Sequence, residues 1–229
     1  MTSLQKWGKS VRTTIPVMAG YLVLGAGFGI LLRTRGYGLG WALAMSAFIY
    51  AGSMQYVAID LLTGGASLLT TAVTTLLVNA RHLFYGISML ERYRAAGRYA
   101  PYLIFSLTDE TYSLVAARED LTGAECFRIS LLDQLYWVLG TALGSLAGAY
   151  LDFNTTGIDF SLTALFLTVF TEQWLETKDH APALIGLGVS IVCRLLFGAD
   201  SFLLPTMGGM LGCLLVLDAR RTKKGGESV

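Results

Sequence analysis

Eight apolar stretches, approximately residues 14–32, 39–62, 66–90, 101–117, 127–150, 159–176, 181–198 and 201–218, take up most of this chain and leave only short linkers between them. Crossing about 30 Å of hydrocarbon takes roughly 20 apolar residues in a helix, and most of these stretches are of that order. Lipid offers no partner for backbone N–H and C=O groups, so a chain of this pattern must be helical wherever it meets lipid. The expected fold is therefore all-α: a polytopic membrane helical bundle forming one transmembrane unit over residues 1–229. With 14% charged residues against 54% hydrophobic ones, there are too few charges for the polar shell of a soluble domain, which carries about a quarter charged residues. The net charge of +1 leaves no footprint for nucleic acid.

Cys126, Cys193 and Cys213 lie in or beside apolar segments without metal-ligand spacing, so they are expected to be small buried hydrophobes, with no metal, disulfide framework or cofactor. Lys6, Lys9 and Arg12 before an apolar run resemble a signal peptide, but the run from Ile15 to Leu32 is long enough to span and further spans follow. Pro16, Pro101 and Pro182 are expected near segment starts, where a missing N–H is harmless. Pro205 should kink or break the last helix. The basic clusters at Lys6, Lys9 and Arg12 and in the tail "RRTKKGGESV" place both termini in the cytoplasm by the positive-inside rule.

An internal duplication is expected. "YLVLGAGFG" at Tyr21 aligns with "YWVLGTALG" at Tyr136, Gln55 with Gln173, and Arg81 with Arg194, all at nearly one offset. Two structural repeats, about 14–117 and 127–218, follow. If the third segment of each half turns back, the halves are inverted with six crossings; if every segment spans, they are parallel with eight. Counting Lys and Arg does not separate the two. Inversion is favoured because the polar "VNARH" suits broken backbone lining a cavity. The glycine sets 25/29, 140/144/148 and 208/212 have the spacing for close helix approach.

Three polar motifs interrupt the apolar runs. In "YAGSMQY", Gly52 loosens the helix while Ser53 and Gln55 need partners in a dry medium; they serve either a small polar ligand or helix packing. In "NARH", an arginine at the bilayer centre costs about 2.5–3.5 kcal/mol even on the lenient insertion scale, so Arg81 must face a carboxylate or water. Asn79, His82 and Tyr85 share a helical face. In "TDETY", Asp109 and Glu110 lie too deep to reach an interface and supply the counter-charge, with Arg81 the first partner and Arg194 or His82 the next. A carboxylate in such a place suits a proton-coupled carrier. Asp133 and Glu176 are expected at an interface. A passive channel or non-transporting membrane subunit is the principal alternative; an intramembrane serine protease using Ser53 and His82 is a weaker one, since Ser53 lacks a nucleophile's Gly-rich setting.

With "AGSMQ", "NARHLFYG" and "TDETY" in this order, the chain resembles the AzlC-type branched-chain amino-acid exporters from about Ile15 to Leu217. Met54, between Ser53 and Gln55, is a mild departure. The resemblance implies a non-enzymatic permease of the bacterial cytoplasmic membrane that exports chiefly valine, leucine and isoleucine and, in some members, methionine. It further implies proton coupling and a small AzlD-type membrane partner. Ser53, Gln55, Asn79, Arg81, Tyr85 and Gln173 are then candidates for substrate binding, and Asp109, Glu110, His82 and Arg194 for proton coupling or ion pairing.

Overall fold

The computed structural model describes residues 2–116, 118, 120–150, 160, 163–164, 167, 170–171, 174–175 and 179–225. All regular structure among them is helical. Packing divides the chain into two compact units, 1–163 and 164–229.

The first unit is organised on two long helices, α1 (Ser3–Thr34) and α8 (Gly123–Tyr150). The expected glycines form their seam: a Cβ on Gly29 would overlap the Thr141 carbonyl oxygen, and one on Gly144 the carbonyl of Ala26. Such small residues let backbones touch, which replaces the hydrophobic drive that lipid removes. Gly25 lies against Trp137–Thr141, Gly29 against Thr141–Ser145, and Gly148 against Ile30 and Arg33, so α1 and α8 run parallel. The two aligned motifs, "YLVLGAGFG" and "YWVLGTALG", are thus each other's packing partners. Inverted halves of three crossings would set these helices antiparallel, so the favoured inverted arrangement is not what they display.

Between α1 and α8 the chain forms α2 (Leu39–Phe48), α3 (Gly52–Thr63), α4 (Leu68–Val78), α5 (Arg81–Ala95), a 3-10 turn (Gly97–Tyr99), α6 (Ala100–Phe105) and α7 (Asp109–Ala116). Each of the second, third and fourth apolar segments is therefore broken, and each break falls on one of the three polar motifs. The contacts along α1 and α8 give the directions. Helix α2 descends from the C-terminal end of α1 until Ser46 and Ala47 reach Thr141 and Gln134. The chain then reverses: Gly52 meets the Trp137 ring, and Tyr56 donates to the Leu24 carbonyl farther up. Tyr50 at the turn has φ of 44°, a left-handed conformation costing a bulky side chain about 1–3 kcal/mol.

The fourth segment mirrors this from the opposite end. Helix α6 climbs from Tyr99 beside Phe127 to Tyr102, which donates to Gln134. After the turn at Ser106–Thr108, α7 descends alongside α5: Asp109 is level with Arg81, Tyr112 with Tyr85, and Val115 with Arg92. Of the three broken segments, the third is interrupted only at Asn79 and Ala80, whose backbones stay close to helical and whose carbonyls accept from His82 and Leu83 N–H, so α4 runs on into α5. The expectation of a re-entrant third segment is corrected accordingly, since the second and fourth turn back. Their tips meet midway along α1 and α8, where the Tyr50 and Phe105 rings lie 6.5 Å apart and Gln134 spans from Tyr102 to the Ala47 carbonyl.

The second unit contains α9 (Ala181–Ser201) and α10 (Leu203–Gly225). Gly186 lies beside Met210 and Gly209 against Val189, so the helix contact uses Gly209 and not the expected 208/212 pair, which faces open space. Pro205 falls in the first turn of α10, where its missing N–H has no partner to lose; the kink occurs instead in α9 at Gly198, with φ of 75°. Pro16 lies in the interior of α1, because that helix begins eleven residues earlier than the apolar run beginning at residue 14. Cys126 and Cys193 are buried as expected, whereas Cys213 is exposed. Helices α1 and α9 each contain a stretch long and apolar enough to cross a membrane.

Candidate functional site

Arg81 opens α5 and joins the two re-entrant hairpins. Its Nη2 donates to Ser53 Oγ in the first turn of α3 at 2.9 Å, and its Nη1 pairs with Asp109 Oδ2 in the first turn of α7 at 2.5 Å. The side chains are 31% and 25% exposed, so the pair is neither free in solvent nor sealed. Arg81 Nε, Asp109 Oδ1 and the Asn79 side-chain oxygen are enclosed without a partner. Unpaired buried polar atoms are uncommon and call for an explanation. Here one donor and two acceptors stand around one break in the bundle, a set that suits a ligand carrying both an anionic and a cationic end.

Glu110 is turned away from Arg81. Its Oε2 accepts from the Tyr21 hydroxyl at 2.7 Å, and the same hydroxyl lies 2.6 Å from Thr108 Oγ1. His82 Nδ1 lies 3.1 Å from the Asn79 carbonyl, and its ring meets Tyr85 edge-on at 5.8 Å. Tyr85 in turn stacks on Tyr112 at 4.4 Å. Ser53 is bonded to Arg81 and His82 to the Asn79 backbone, so no serine–histidine dyad connects them. An apolar cavity of about 500 Å³ lies between α5 and α6, with Asn79 and His82 among its lining and Leu83, Ile87, Ile104 and Leu107 forming its walls.

Two expectations change. Gln55 is fully enclosed, its Nε2 donating to Ser46 Oγ at 3.1 Å and its Oε1 accepting from Trp137 Nε1 at 2.9 Å. That makes it a lock between α2, α3 and α8, not a group presented to a ligand. Asp133, expected at an interface, has no exposed surface and accepts from Thr111 Oγ1 at 2.9 Å. A lone acid early in an apolar helix looks interfacial from its position, but the α6–α7 hairpin covers it. Arg194 lies in the second unit, its guanidinium over the Phe202 ring at 5.3 Å. Gln173 and Glu176 lie outside the described residues.

The broken helices, the glycine seam and the charged groups gathered at the breaks define an all-helical membrane protein of the bundle class. The family model described as "AzlC protein" matches residues 16–151, the stretch that contains all of these features. The chain belongs to the AzlC family, a family of transport proteins and not of enzymes. It is 46% identical to a Bacillus subtilis protein named "Branched-chain amino acid transport protein AzlC", over 89% of this chain and 82% of that one. It is 42% identical to an uncharacterized membrane protein of Helicobacter pylori, over 89% and 91% of the two chains. It is also 26% identical to the Escherichia coli inner membrane protein YgaZ, over 90% and 87%. No solved structure matches the chain.

Proposed function

We propose that the protein is a secondary transporter that exports valine, leucine, isoleucine and methionine across the bacterial cytoplasmic membrane. The observation that carries this reading is the 46% identity to a branched-chain amino acid transport protein along nearly the whole chain. The unpaired groups around Arg81 and Asp109 agree with it. A zwitterion entering there exchanges one ion pair for two: its carboxylate takes Arg81, Ser53 and the open N–H groups at the start of α3, and its ammonium takes Asp109 and the Asn79 oxygen. Its aliphatic group enters the cavity between α5 and α6, whose lining includes the same Asn79, while Tyr85, one turn from Arg81 and stacked on Tyr112, remains a candidate contact for the polar end. Arg194 and Gln173 remain candidates for the second repeat.

Export is driven by a proton gradient, with Asp109, Glu110 and His82 as the coupling groups, and a small AzlD-type membrane subunit completes the exporter. The protein crosses the membrane several times. Lys6, Lys9, Arg12, Arg92, Arg94, Arg98, Arg118 and Arg128 belong to the N-terminal end of the α1–α8 pair, against Arg33 and Arg35 at the other, so the positive-inside rule sets the N-terminus in the cytoplasm.

The test is counterflow in proteoliposomes containing the purified protein. A carrier exchanges labelled for unlabelled valine with saturation, and Asp109→Asn abolishes the pH dependence of transport. Unsaturable flux identifies a channel instead, and no valine flux rejects the transport role. Asp109→Asn with transport and pH dependence intact removes the coupling role.

A further inference from the structure

Asp133 and Glu110 are joined by an unbroken line of hydroxyl groups. Glu110 Oε2 lies 2.7 Å from Tyr21 Oη, Tyr21 Oη 2.6 Å from Thr108 Oγ1, Thr108 Oγ1 3.1 Å from Thr111 Oγ1, and Thr111 Oγ1 2.9 Å from Asp133 Oδ2. All four separations are hydrogen-bond distances. The line runs from α7 to α1, back to Thr108 in the turn before α7, into α7 at Thr111 and on to α8, and it is separate from the Arg81–Asp109 pair.

Counting protons restricts its state. Four contacts need four protons, and the three hydroxyls supply three. With both carboxyl groups ionised, one pair of oxygens would face each other lone pair to lone pair in an enclosed place, where an unmade hydrogen bond is expensive. One added proton completes the line. Among the described residues no lysine, arginine or histidine pairs with Asp133, and its Oδ1 and the nearby Ser130 Oγ are unpartnered. An enclosed charge without a counter-ion costs several kcal/mol. The other titratable groups near Asp133 are the phenols Tyr50 and Tyr102.

We infer that Asp133 and Glu110 share one proton along the Tyr21–Thr108–Thr111 line, and that Asp133 is a proton-carrying group of the transport cycle. When Glu110 holds the proton, the donors run Glu110 to Tyr21 to Thr108 to Thr111 to Asp133. Transfer moves each of the four protons by one contact: Glu110 O–H breaks, Asp133 O–H forms, and every hydroxyl loses one proton and gains another. The charge moves from Asp133 to Glu110 and the total is unchanged. Because Glu110 adjoins Asp109, its charge state acts on the Arg81–Asp109 pair at the proposed substrate site.

The inference rests on the transport reading for its role in the cycle, but the shared proton is measurable without substrate. Infrared difference spectra of the full chain in lipid vesicles at neutral pH are expected to contain a carboxylic-acid C=O band. That band is lost in Asp133→Asn, shifted in Thr111→Val and restored in Thr111→Ser. Spectra that are the same in all four proteins overturn the shared proton. In proteoliposomes, the ratio of gradient-driven valine accumulation to counterflow should fall about a hundredfold in Thr111→Val, the low end of what a positioned proton-transfer group contributes, and recover in Thr111→Ser. A ratio within twofold of the unmodified protein overturns the role in coupling. Absence of valine counterflow in the unmodified protein refutes the transport reading, and the infrared result then decides the shared proton alone.

Discussion

Arg81 and Asp109 are 28 residues apart in sequence and 2.5 Å apart in space, and their contact fastens the start of α5 to the α6–α7 hairpin. Removing the arginine strands a partly enclosed carboxylate. Breaking a fully buried pair costs about 3–5 kcal/mol, and a quarter to a third exposure lowers the expectation to about 2–3 kcal/mol for Arg81→Ala. The double variant Arg81→Ala/Asp109→Ala should recover a large part of that loss. Thermal unfolding in detergent, followed by tryptophan fluorescence across the four-member cycle, measures both; additive losses would show that the pair is not coupled.

Gly144 admits no side chain, because its Cβ would overlap the Ala26 carbonyl. Gly144→Leu should separate α1 from α8 and destabilise by more than the about 1–3 kcal/mol typical of overpacking. Gly212→Leu, facing open space in α10, should change stability little. Unfolding temperatures of the two variants, compared side by side, check the contrast.

The amide of Gln55 is held at both ends, by Trp137 and Ser46. Trp137→Phe leaves the Gln55 oxygen without a donor, at about 1–3 kcal/mol for an unsatisfied buried acceptor, on top of lost packing. Adding Gln55→Leu to Trp137→Phe removes that orphan and should cost less than the sum of the two single changes. Denaturant or thermal unfolding of the three variants gives the non-additivity directly.

Tyr50 adopts a left-handed backbone at the tip of the α2–α3 hairpin. Alanine there keeps the strain and glycine releases it, so Tyr50→Gly should be more stable than Tyr50→Ala by about 1 kcal/mol. That is opposite to the usual order, in which the greater freedom of the unfolded glycine chain favours alanine. Both variants lose the same ring, so the difference in their unfolding free energies isolates the backbone.

An aliphatic cavity distinguishes one methylene by about 1–3 kcal/mol. Valine, leucine, isoleucine and methionine should therefore compete with one another for counterflow within about 200-fold, whereas an amino acid with a charged side chain should not compete. Inhibition curves against labelled valine give the ranking.

Much of the site was legible because its chemistry is local. The three polar motifs stood out against hydrocarbon, and each proved to mark a helix break, since polar side chains and unpaired backbone are tolerated in the same wet places. The glycine seam at 25/29 and 140/144 was legible from spacing, but the same spacing at 208/212 was not a contact; periodicity records that a face is small without recording what covers it. Asp133 and Gln55 were misjudged for a related reason. An acid near a helix start and an amide near a glycine carry the same local pattern whether they face a ligand, lipid headgroups or a neighbouring helix.

What the sequence determined by itself is the helical membrane class, the family, and the residues at which the helices fail, because hydrophobicity, motif order and broken periodicity are properties of short stretches. The tertiary structure alone decided which broken segments turn back, that Asp109 and not Glu110 meets Arg81, and that Glu110 and Asp133 lie on one hydroxyl line. After a break, the chain's direction is set by packing against helices up to about a hundred residues away, and that energy is written in no stretch of sequence taken singly.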